Sequence, residues 1–328
     1  MPMEAPPITV SDLLHARALL EGHVRLTPAV SLDSPTFQAH LPPDTRVSLK
    51  LELLQATGSF KARGAVLSLL QTPRSQWERG VTAVSAGNHA IAVAYAANRM
   101  GVRARVVMTS SANPFRRRAA EAYGAEVILA GSIAEAFERV EQIASEEGLF
   151  FIHPFEGRNI ALGTGTLGLE FLDQVGDLDA VIVPIGGGGL AAGVGTAIRL
   201  LRPDLRVYGV EPTGADSMAR SFEAGKPTAL PGPVATIADS LGAPYALPYS
   251  YGLCRQALRQ VVRVSDEELS QAMAVMMEEG RICVEPAGAA ALAGLLGPLR
   301  SELAGAHVGL IVCGTNIDRR SFVAKLPV

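Results

Sequence analysis

The sequence predicts an α/β fold in which parallel, twisted sheets are flanked by helices, and three observations support this prediction. Short apolar segments alternate with helical segments along the chain, as in β-α-β units. Helix signals stand between them, such as the capping box of Ser265 and Glu268 before a segment with one apolar face. The 328 residues, 48% of them hydrophobic, can bury a core larger than that of one simple domain. The predicted strands are 47–50, 81–84, 104–108, 126–129, 180–185, 206–210 and 308–312.

Charge and composition exclude several classes of protein. The net charge of −3 gives no reason to expect a nucleic-acid or membrane partner, and no uninterrupted apolar run approaches the length of a membrane span. The arginines at 116–118 are predicted to lie on a solvated helix face. Cys254, Cys283 and Cys313 show no C-x-x-C spacing, which is typical of a reducing compartment. We therefore expect a cytoplasmic protein.

The first candidate site is a lysine in a turn bracketed by glycines. Lys61 follows Phe60 between Gly58 and Gly64, after an extended apolar segment. An amine that is held against an aromatic ring and screened from water has a lowered pKa, which leaves it free to form an imine with a carbonyl. A lysine anchors pyridoxal phosphate by this chemistry. A solvated lysine at a helix start has the same local sequence, so this motif alone leaves both interpretations open.

The second candidate is the turn that follows the predicted strand 81–84. It contains Ser85, Ala86, Asn88 and His89, and a helical run begins directly afterwards. The unpaired N–H groups at the start of that helix, with the Ser85 hydroxyl and the Asn88 amide, can bind an anion such as a carboxylate. An ordinary capped turn is the alternative, and for His89 the alternative is a turn histidine with its own hydrogen bonds.

The third candidate is a run of four glycines between an apolar strand and a helix: Gly186, Gly187, Gly188 and Gly189, followed by Leu190. Consecutive glycines cost backbone entropy wherever they occur. They are favoured where the main chain wraps closely around an anion, as it does around a phosphate at a helix N-terminus.

The same glycine run also fits a different fingerprint. Gly186, Gly188 and Ala191 match G-x-G-x-x-G/A, and Glu211 ends the next predicted strand, where a ribose-binding acid belongs. Alone, the run would therefore indicate a nicotinamide-dependent dehydrogenase. That hypothesis explains neither the turn of Lys61 nor the turn of Ser85, whereas a phosphate-binding loop is compatible with both.

The fourth candidate is Cys313, at the end of the predicted strand 308–312 and before Gly314, Thr315 and Asn316. A small side chain at this place can face the nitrogen of a cofactor ring. A buried structural thiol is the alternative.

Taken in order, these motifs resemble the fold-type II pyridoxal phosphate enzymes, and within them the group of serine/threonine dehydratases and serine racemases. Cysteine and threonine synthases look different, since they typically carry an aspartate after the anchor lysine, where this chain has Ala62. The resemblance covers nearly the whole chain through residues 49–65, 85–89, 123–125, 153–154, 186–190, 284–286 and Cys313.

The resemblance implies pyridoxal 5'-phosphate as the cofactor. Lys61 would hold it covalently and act as the catalytic base that takes the Cα proton of an amino acid. A neutral Cys313 facing the ring nitrogen would make the ring a weaker electron sink, which favours elimination over transamination. The implied cofactor-binding residues are Phe60, Lys61, Asn88, Gly186, Gly187, Gly188, Gly189, Leu190, Glu285 and Cys313.

The resemblance also implies a small amino acid as the substrate, with its carboxylate near Ser85, Ala86, Asn88 and His89. The expected reaction is dehydration and deamination of L-threonine or L-serine to a 2-oxo acid and ammonia. A racemase needs a second acid–base group on the far face, and serine racemases have a second serine where this chain has Ala86, so we favour the dehydratase. A racemase, or a dehydratase for a hydroxyaspartate or an aryl serine, stays open.

Departures from the family pattern affect the cation site and the pocket. Relatives often bind a cation through positions that correspond to Glu211, Ala215 and Ser217. The serine replaces an aspartate, so either this ligand has been lost or Asp216 substitutes for it with altered geometry, and one carboxylate fewer should weaken the site. Thr164 and Thr315 replace residues that are typical of the family and are expected to reshape the substrate pocket.

The implied architecture is similar to that of tryptophan synthase β, with two lobes that each contain a mostly parallel sheet. Residues 1–79 and 153–328 would form a discontinuous, large cofactor-binding domain, and residues 80–152 a small mobile domain. No C-terminal regulatory domain is expected. A homodimer or another homo-oligomer is usual for this resemblance.

Overall fold

The computed structural model describes residues 7–327. The strands are β1 Ala29–Ser31, β2 Arg46–Lys50, β3 Val81–Val84, β4 Ala104–Thr109, β5 Glu126–Ala130, β6 Phe150–Phe151, β7 Ala180–Pro184, β8 Arg206–Pro212, β9 Gln260–Val264 and β10 His307–Ile311. The α-helices are α1 Val10–Leu20, α2 Pro35–Gln38, α3 Lys61–Leu70, α4 Asn88–Met100, α5 Pro114–Ala122, α6 Ile133–Glu147, α7 Arg158–Gln174, α8 Gly189–Leu201, α9 Ser217–Ala224, α10 Pro248–Ala257, α11 Asp266–Glu278, α12 Pro286–Leu296 and α13 Arg319–Val323.

The larger sheet has six strands in the order β1-β2-β10-β7-β8-β9. The pairing of β1 with β2 is antiparallel, and the other four pairings are parallel. Strand β7 is buried along its whole length, as is usual for a parallel strand covered by helices on both faces. Its neighbours β10 and β8 end at the same edge, so the loops after these strands meet there.

The smaller sheet has four parallel strands in the order β5-β4-β3-β6. All four come from the segment between residues 81 and 151. Helix α4, which follows β3, shares a buried apolar cluster with α1 and α3, so this sheet is packed against elements that precede it in the chain. The division into domains 1–79 with 153–328 and 80–152 stays a prediction.

The predicted fold class is confirmed: the protein is α/β with two mostly parallel sheets flanked by helices. Each of the seven predicted strands is present, with ends shifted by no more than two residues. Strands β1, β6 and β9 were not predicted. Among residues 7–327, no helix combines the length and the apolar character needed to cross a membrane.

Candidate active site

The glycine run forms the turn between β7 and α8. Gly188 has a φ of 94°, a conformation that residues with a Cβ rarely adopt. A Cβ on Gly187 would lie 2.2 Å from the ring of Phe155, and a Cβ on Gly189 would lie 2.5 Å from the Phe155 carbonyl oxygen. Helix α8 begins without a side-chain cap, so its first N–H groups are available to an anion. The turn therefore requires glycine and suits a phosphate.

Lys61 begins helix α3 and lines the same small cavity as the glycine turn. Its Nζ donates a hydrogen bond of 2.5 Å to the carbonyl of Pro154 and lies 5.1 Å from the centre of the Phe60 ring. Burial lowers the pKa of the amine to about 8, although Cys313 acts in the opposite direction. A useful fraction of this amine is therefore unprotonated near neutral pH.

Cys313 follows β10 and is 3% exposed. Its Sγ donates to the carbonyl of Ala287 at 3.3 Å. Burial, and next the nearby Glu285, raise the pKa of this thiol well above its ordinary value. The thiol stays protonated, so it brings no negative charge to the site.

The turn after β3 contains the anion-binding residues expected from the sequence. The hydroxyl of Ser85 accepts from the N–H of Gly87 at 3.1 Å, and α4 begins at Asn88 without a side-chain cap. The buried His89 donates from Nε2 to the carbonyl of Ile152 at 2.8 Å, an assignment that follows because a carbonyl can only accept. Burial and then Lys61 lower the pKa of His89 to about 3, so the imidazole is neutral.

The predicted cofactor-binding residues line one small cavity of about 30 Å³, at the edge where β7 and β10 end. Of the substrate-binding residues expected from the sequence, Asn88 is in this lining; Ser85, Ala86 and His89 belong to the same turn but lie outside the lining. The lining consists of Phe60, Lys61, Asn88, Phe155, Pro184, Gly186, Gly187, Gly188, Gly189, Leu190, Ser240, Leu241, Glu285, Ala287 and Cys313.

Several lining residues were not predicted. Phe155 follows the segment 153–154 that carried part of the resemblance, and Ser240 and Leu241 come from a short 3₁₀ turn, Asp239–Leu241. Ala287 follows the predicted Glu285 by two residues, so its place beside the site could have been expected. Nothing in the local sequence marks the turn of Ser240 as part of the site.

The structure corrects the prediction that the arginines at 116–118 lie on a solvated helix face. Arg117 is exposed and Arg118 lies on the outer face of α5, but Arg116 is buried, with 4% exposure, and forms ion pairs with Asp239 and Glu285. The prediction of a solvated face is therefore wrong for Arg116. Residue Ala120, one turn further along α5, is fully buried, and this i to i+4 spacing was a signal for the inward face.

The two threonine replacements lie outside the cavity lining. The hydroxyl of Thr164 donates to the carbonyl of Gly189 at 2.8 Å and so stabilises the backbone of the glycine turn. The hydroxyl of Thr315 donates to the carbonyl of Cys283 at 2.7 Å. Neither side chain reshapes the described cavity directly.

Glu211 is fully buried at the end of β8, and its carboxylate accepts from two backbone N–H groups at the start of α9, at 2.9 and 2.7 Å. Burial raises its pKa to about 8, while these two hydrogen bonds act against that change. The neighbouring Asp216 is paired with Arg220 and Arg263. Within residues 7–327 no three or more His, Cys, Asp or Glu side chains form a metal-binding group. Both oxygens of Glu211 and both oxygens of Asp216 therefore already have partners within the protein. The weak metal candidates Glu211 and Ala215 stay a prediction.

The site residues fit pyridoxal phosphate. The glycine turn and the start of α8 suit its phosphate, the amine of Lys61 suits its aldehyde, and the neutral thiol of Cys313 suits an unprotonated ring nitrogen. Binding of a dinucleotide would give no reason for the amine of Lys61 to lie in this cavity.

Comparisons with known proteins agree with this fit. A family model described as "Pyridoxal-phosphate dependent enzyme" matches residues 20–314. Phenylserine dehydratase from Ralstonia pickettii is 52% identical over 317 residues, which cover 97% of this chain and 96% of the relative. L-threonine ammonia-lyase from Geobacter sulfurreducens is 40% identical over 273 residues, or 83% of this chain and 67% of the relative.

Solved structures lead to the same assignment. Maize serine racemase has a TM-score of 0.89 at 33% identity and covers 96% of both chains. A threonine deaminase from T.th. has a TM-score of 0.88 at 37% identity, covering 95% of this chain and 99% of the other. The dinucleotide hypothesis for the glycine run is wrong. The chain belongs to the family of pyridoxal-phosphate dependent enzymes, in the branch of ammonia-lyases and dehydratases, and pyridoxal 5'-phosphate is its cofactor.

Proposed function

We propose that this enzyme removes water from a β-hydroxy amino acid and releases a 2-oxo acid and ammonia. The observation that carries the proposal is the amine of Lys61, whose pKa burial lowers to about 8, in one cavity with the glycine turn and the protonated thiol of Cys313. Pyridoxal phosphate, when bound, draws electrons from Cα of an amino acid and so weakens its Cα–H bond.

Lys61 acts as the base. The carbonyl of Pro154 holds its Nζ in one position, and burial leaves a larger fraction of the amine unprotonated at neutral pH than an ordinary lysine has. The amine takes the Cα proton and, as an ammonium group, gives a proton to the Cβ hydroxyl, which leaves as water. Hydrolysis of the resulting enamine then gives the 2-oxo acid and ammonia.

The turn of Ser85 binds the substrate carboxylate through the Ser85 hydroxyl and the free N–H groups at the start of α4. Ala86 cannot exchange a proton, which argues against the racemase alternative despite the similarity to maize serine racemase. His89 is neutral and bonded to the Ile152 carbonyl, so it supports the turn and supplies no charge to the carboxylate.

We infer that the substrate is an aryl serine in preference to threonine or serine. The relative named phenylserine dehydratase is 52% identical to this chain, against 40% for the named threonine ammonia-lyase. Two aromatic rings, Phe60 and Phe155, also lie in the cavity lining, and Phe155 packs 4.7 Å from the ring of His153 and 6.3 Å from that of Tyr245. Such surroundings favour a phenyl group over a methyl group.

The test is a substrate panel with the holoenzyme and the Lys61→Ala variant as control. Phenylserine, threonine and serine are assayed for ammonia and 2-oxo acid. We expect kcat/KM for phenylserine to exceed that for threonine by about tenfold or more, since each small apolar difference is worth about 1–3 kcal/mol. A preference for threonine would overturn the aryl assignment, and no release from any substrate would overturn the elimination.

We also infer that the enzyme is a homodimer. Leu14, Leu26 and Leu54 are 44%, 70% and 44% exposed. Leu14 and Leu26 border a cavity of about 640 Å³ beside α1 and α7, and the Arg25 side chain joins this region to the Leu54 carbonyl. Exposed leucines around an open cavity are typical of a surface that a second subunit covers. Sedimentation velocity measures the oligomeric state.

A further inference from the structure

Arg116 is a buried cation next to the active site. It lies in the first turn of α5 with 4% exposure, whereas its neighbour Arg117 is exposed and pairs with Glu121 at 2.8 Å. Burying a guanidinium is unfavourable unless every donor has a partner. The partners of Arg116 therefore indicate what this residue does.

The guanidinium of Arg116 binds three separate segments. Its Nε donates to the carbonyl of Asn316 at 2.8 Å, and Nη1 and Nη2 donate to the two carboxylate oxygens of Asp239 at 2.7 and 3.0 Å. Nη2 also donates to Oε2 of Glu285 at 3.0 Å. This fork holds the loop after β10, the turn before Ser240 and the start of α12 in a fixed relation.

Two of these partners hold the amide of Asn88. Oε1 of Glu285 accepts from Nδ2 of Asn88 at 2.6 Å, and Nδ2 of Asn316 donates to Oδ1 of Asn88 at 2.7 Å. The amide is thus fixed at both ends, in one of its two flip orientations, by residues that Arg116 binds. Asn88 and Glu285 both line the cofactor cavity, while Arg116 does not.

The charge of Arg116 keeps this arrangement in place. Glu285 is fully buried, and burial raises its pKa; Arg116 is the cation that opposes this change, while Asp239 adds to it. A Glu285 that gained a proton on one oxygen could no longer accept from both Arg116 and Asn88 through its two oxygens, and the arrangement that sets the orientation of the Asn88 amide would be disturbed.

We propose that Arg116 is a positioning residue for the elimination reaction: through Glu285 it fixes the amide of Asn88 beside the cofactor, without touching cofactor or substrate. The proposal rests on the proposed function for its kinetic part. The absorbance of the bound cofactor supplies a second part that needs no substrate.

The experiment compares holoenzymes of the wild type, Arg116→Gln, Arg116→Lys, Glu285→Gln and the matched control Arg117→Gln. In Arg116→Gln we expect the visible band of bound pyridoxal phosphate to differ from that of the wild type, and kcat to fall about tenfold or more. KM should change by a smaller factor than kcat, because the Ser85 hydroxyl and the backbone N–H groups at the start of α4 still bind the substrate carboxylate. Arg116→Lys should recover part of kcat, and Arg117→Gln should match the wild type in both measurements.

The double variant Arg116→Gln/Glu285→Gln separates positioning from a merely structural role. If Arg116 acts through Glu285, the losses in kcat are not additive and the double variant resembles the worse single variant within about twofold. Additive losses, or a wild-type spectrum and kcat in Arg116→Gln, would overturn the proposal.

Glu285→Gln alone decides the question if Arg116→Gln does not fold. In the wild type, one oxygen of Glu285 accepts from Arg116 and the other accepts from Asn88. Glutamine replaces one of these oxygens with an NH₂ group, so one of the two contacts is lost. A wild-type spectrum and kcat in this folded variant would contradict the proposal. If the wild type dehydrates no β-hydroxy amino acid, the proposed function fails, and the spectral comparison still tests Arg116.

Discussion

Among single residues, the amine of Lys61 sets a clear pH dependence. An amine is reactive above its pKa, and burial lowers this pKa to about 8. We predict that the rate at which the apoprotein captures pyridoxal phosphate rises about tenfold per pH unit below pH 8 and then levels off. Absorbance at several pH values measures this rate, with N-acetyl-lysine as a control whose rate keeps rising above pH 8. A midpoint near pH 10 would show that the amine is not shielded from water.

Sequence reasoning works at this scale where chemistry demands one residue type. Lys61 and Cys313 were assigned places beside a cofactor, and the structure brings them into one cavity. The prediction for Arg116 was wrong because three arginines are adjacent in the sequence. Only the position of each around the helix, relative to the buried Ala120, distinguishes the inward-facing arginine from the other two. The turn of Ser240 joins the site through tertiary packing alone, which no local pattern encodes.

Among the elements, the close packing of α7 against α8 depends on Gly193. A Cβ there would lie 2.0 Å from Oγ1 of Thr164 and 2.3 Å from the carbonyl oxygen of Ala161. We predict that Gly193→Ala lowers the free energy of unfolding by about 3 kcal/mol, the upper part of the usual range for overpacking. Chemical denaturation measures the change.

Gly252 supplies the matched control. It lies within α10, and a Cβ there would meet no atom within 4 Å. Gly252→Ala should therefore raise the free energy of unfolding by about 0.5–1 kcal/mol, since alanine loses less backbone entropy in a helix. Equal effects of the two substitutions would mean that the separation of α7 from α8 adapts to an added methyl group.

Strand prediction found every inner strand and one edge strand, β5, and missed the other three edge strands. Strand β7 reads as an unbroken apolar run and was found, but β6 has two residues and β1 has three. Strand β9 includes Arg263, and its burial alternates along an edge of the larger sheet. Short edge strands form because a neighbouring strand offers hydrogen-bond partners, so their sequences carry little signal of their own.

For the whole molecule, alternation of strands and helices predicts parallel sheets but not the order of the strands. The order β1-β2-β10-β7-β8-β9 places the last strand of the chain beside the second, and only the family resemblance implied a lobe built from both ends of the chain. The side-chain contacts that join the segment 80–152 to the rest include Arg116 to Asp239, Asn113 to Asp318, Tyr123 to the Ala56 carbonyl and Tyr95 to the His23 carbonyl. Contacts of this kind would have to break for a smaller lobe to open.

The exposed apolar surface around Leu26 predicts how the protein assembles. Leu26 is 70% exposed beside the 640 Å³ cavity, which makes it a candidate for an interface that buries about 800 Å² on each partner. We predict that the wild type sediments as a dimer and that Leu26→Asp sediments as a monomer, because a carboxylate in the interface would lose its hydration. Val323→Asp, at a residue that is 61% exposed on α13, is the matched control and should remain dimeric.

The melting temperature of Leu26→Asp at high dilution should equal that of the dilute wild type, since the side chain points away from the core. A dimeric Leu26→Asp would place the interface on another face of the molecule, and a monomeric wild type at micromolar concentration would overturn the dimer itself.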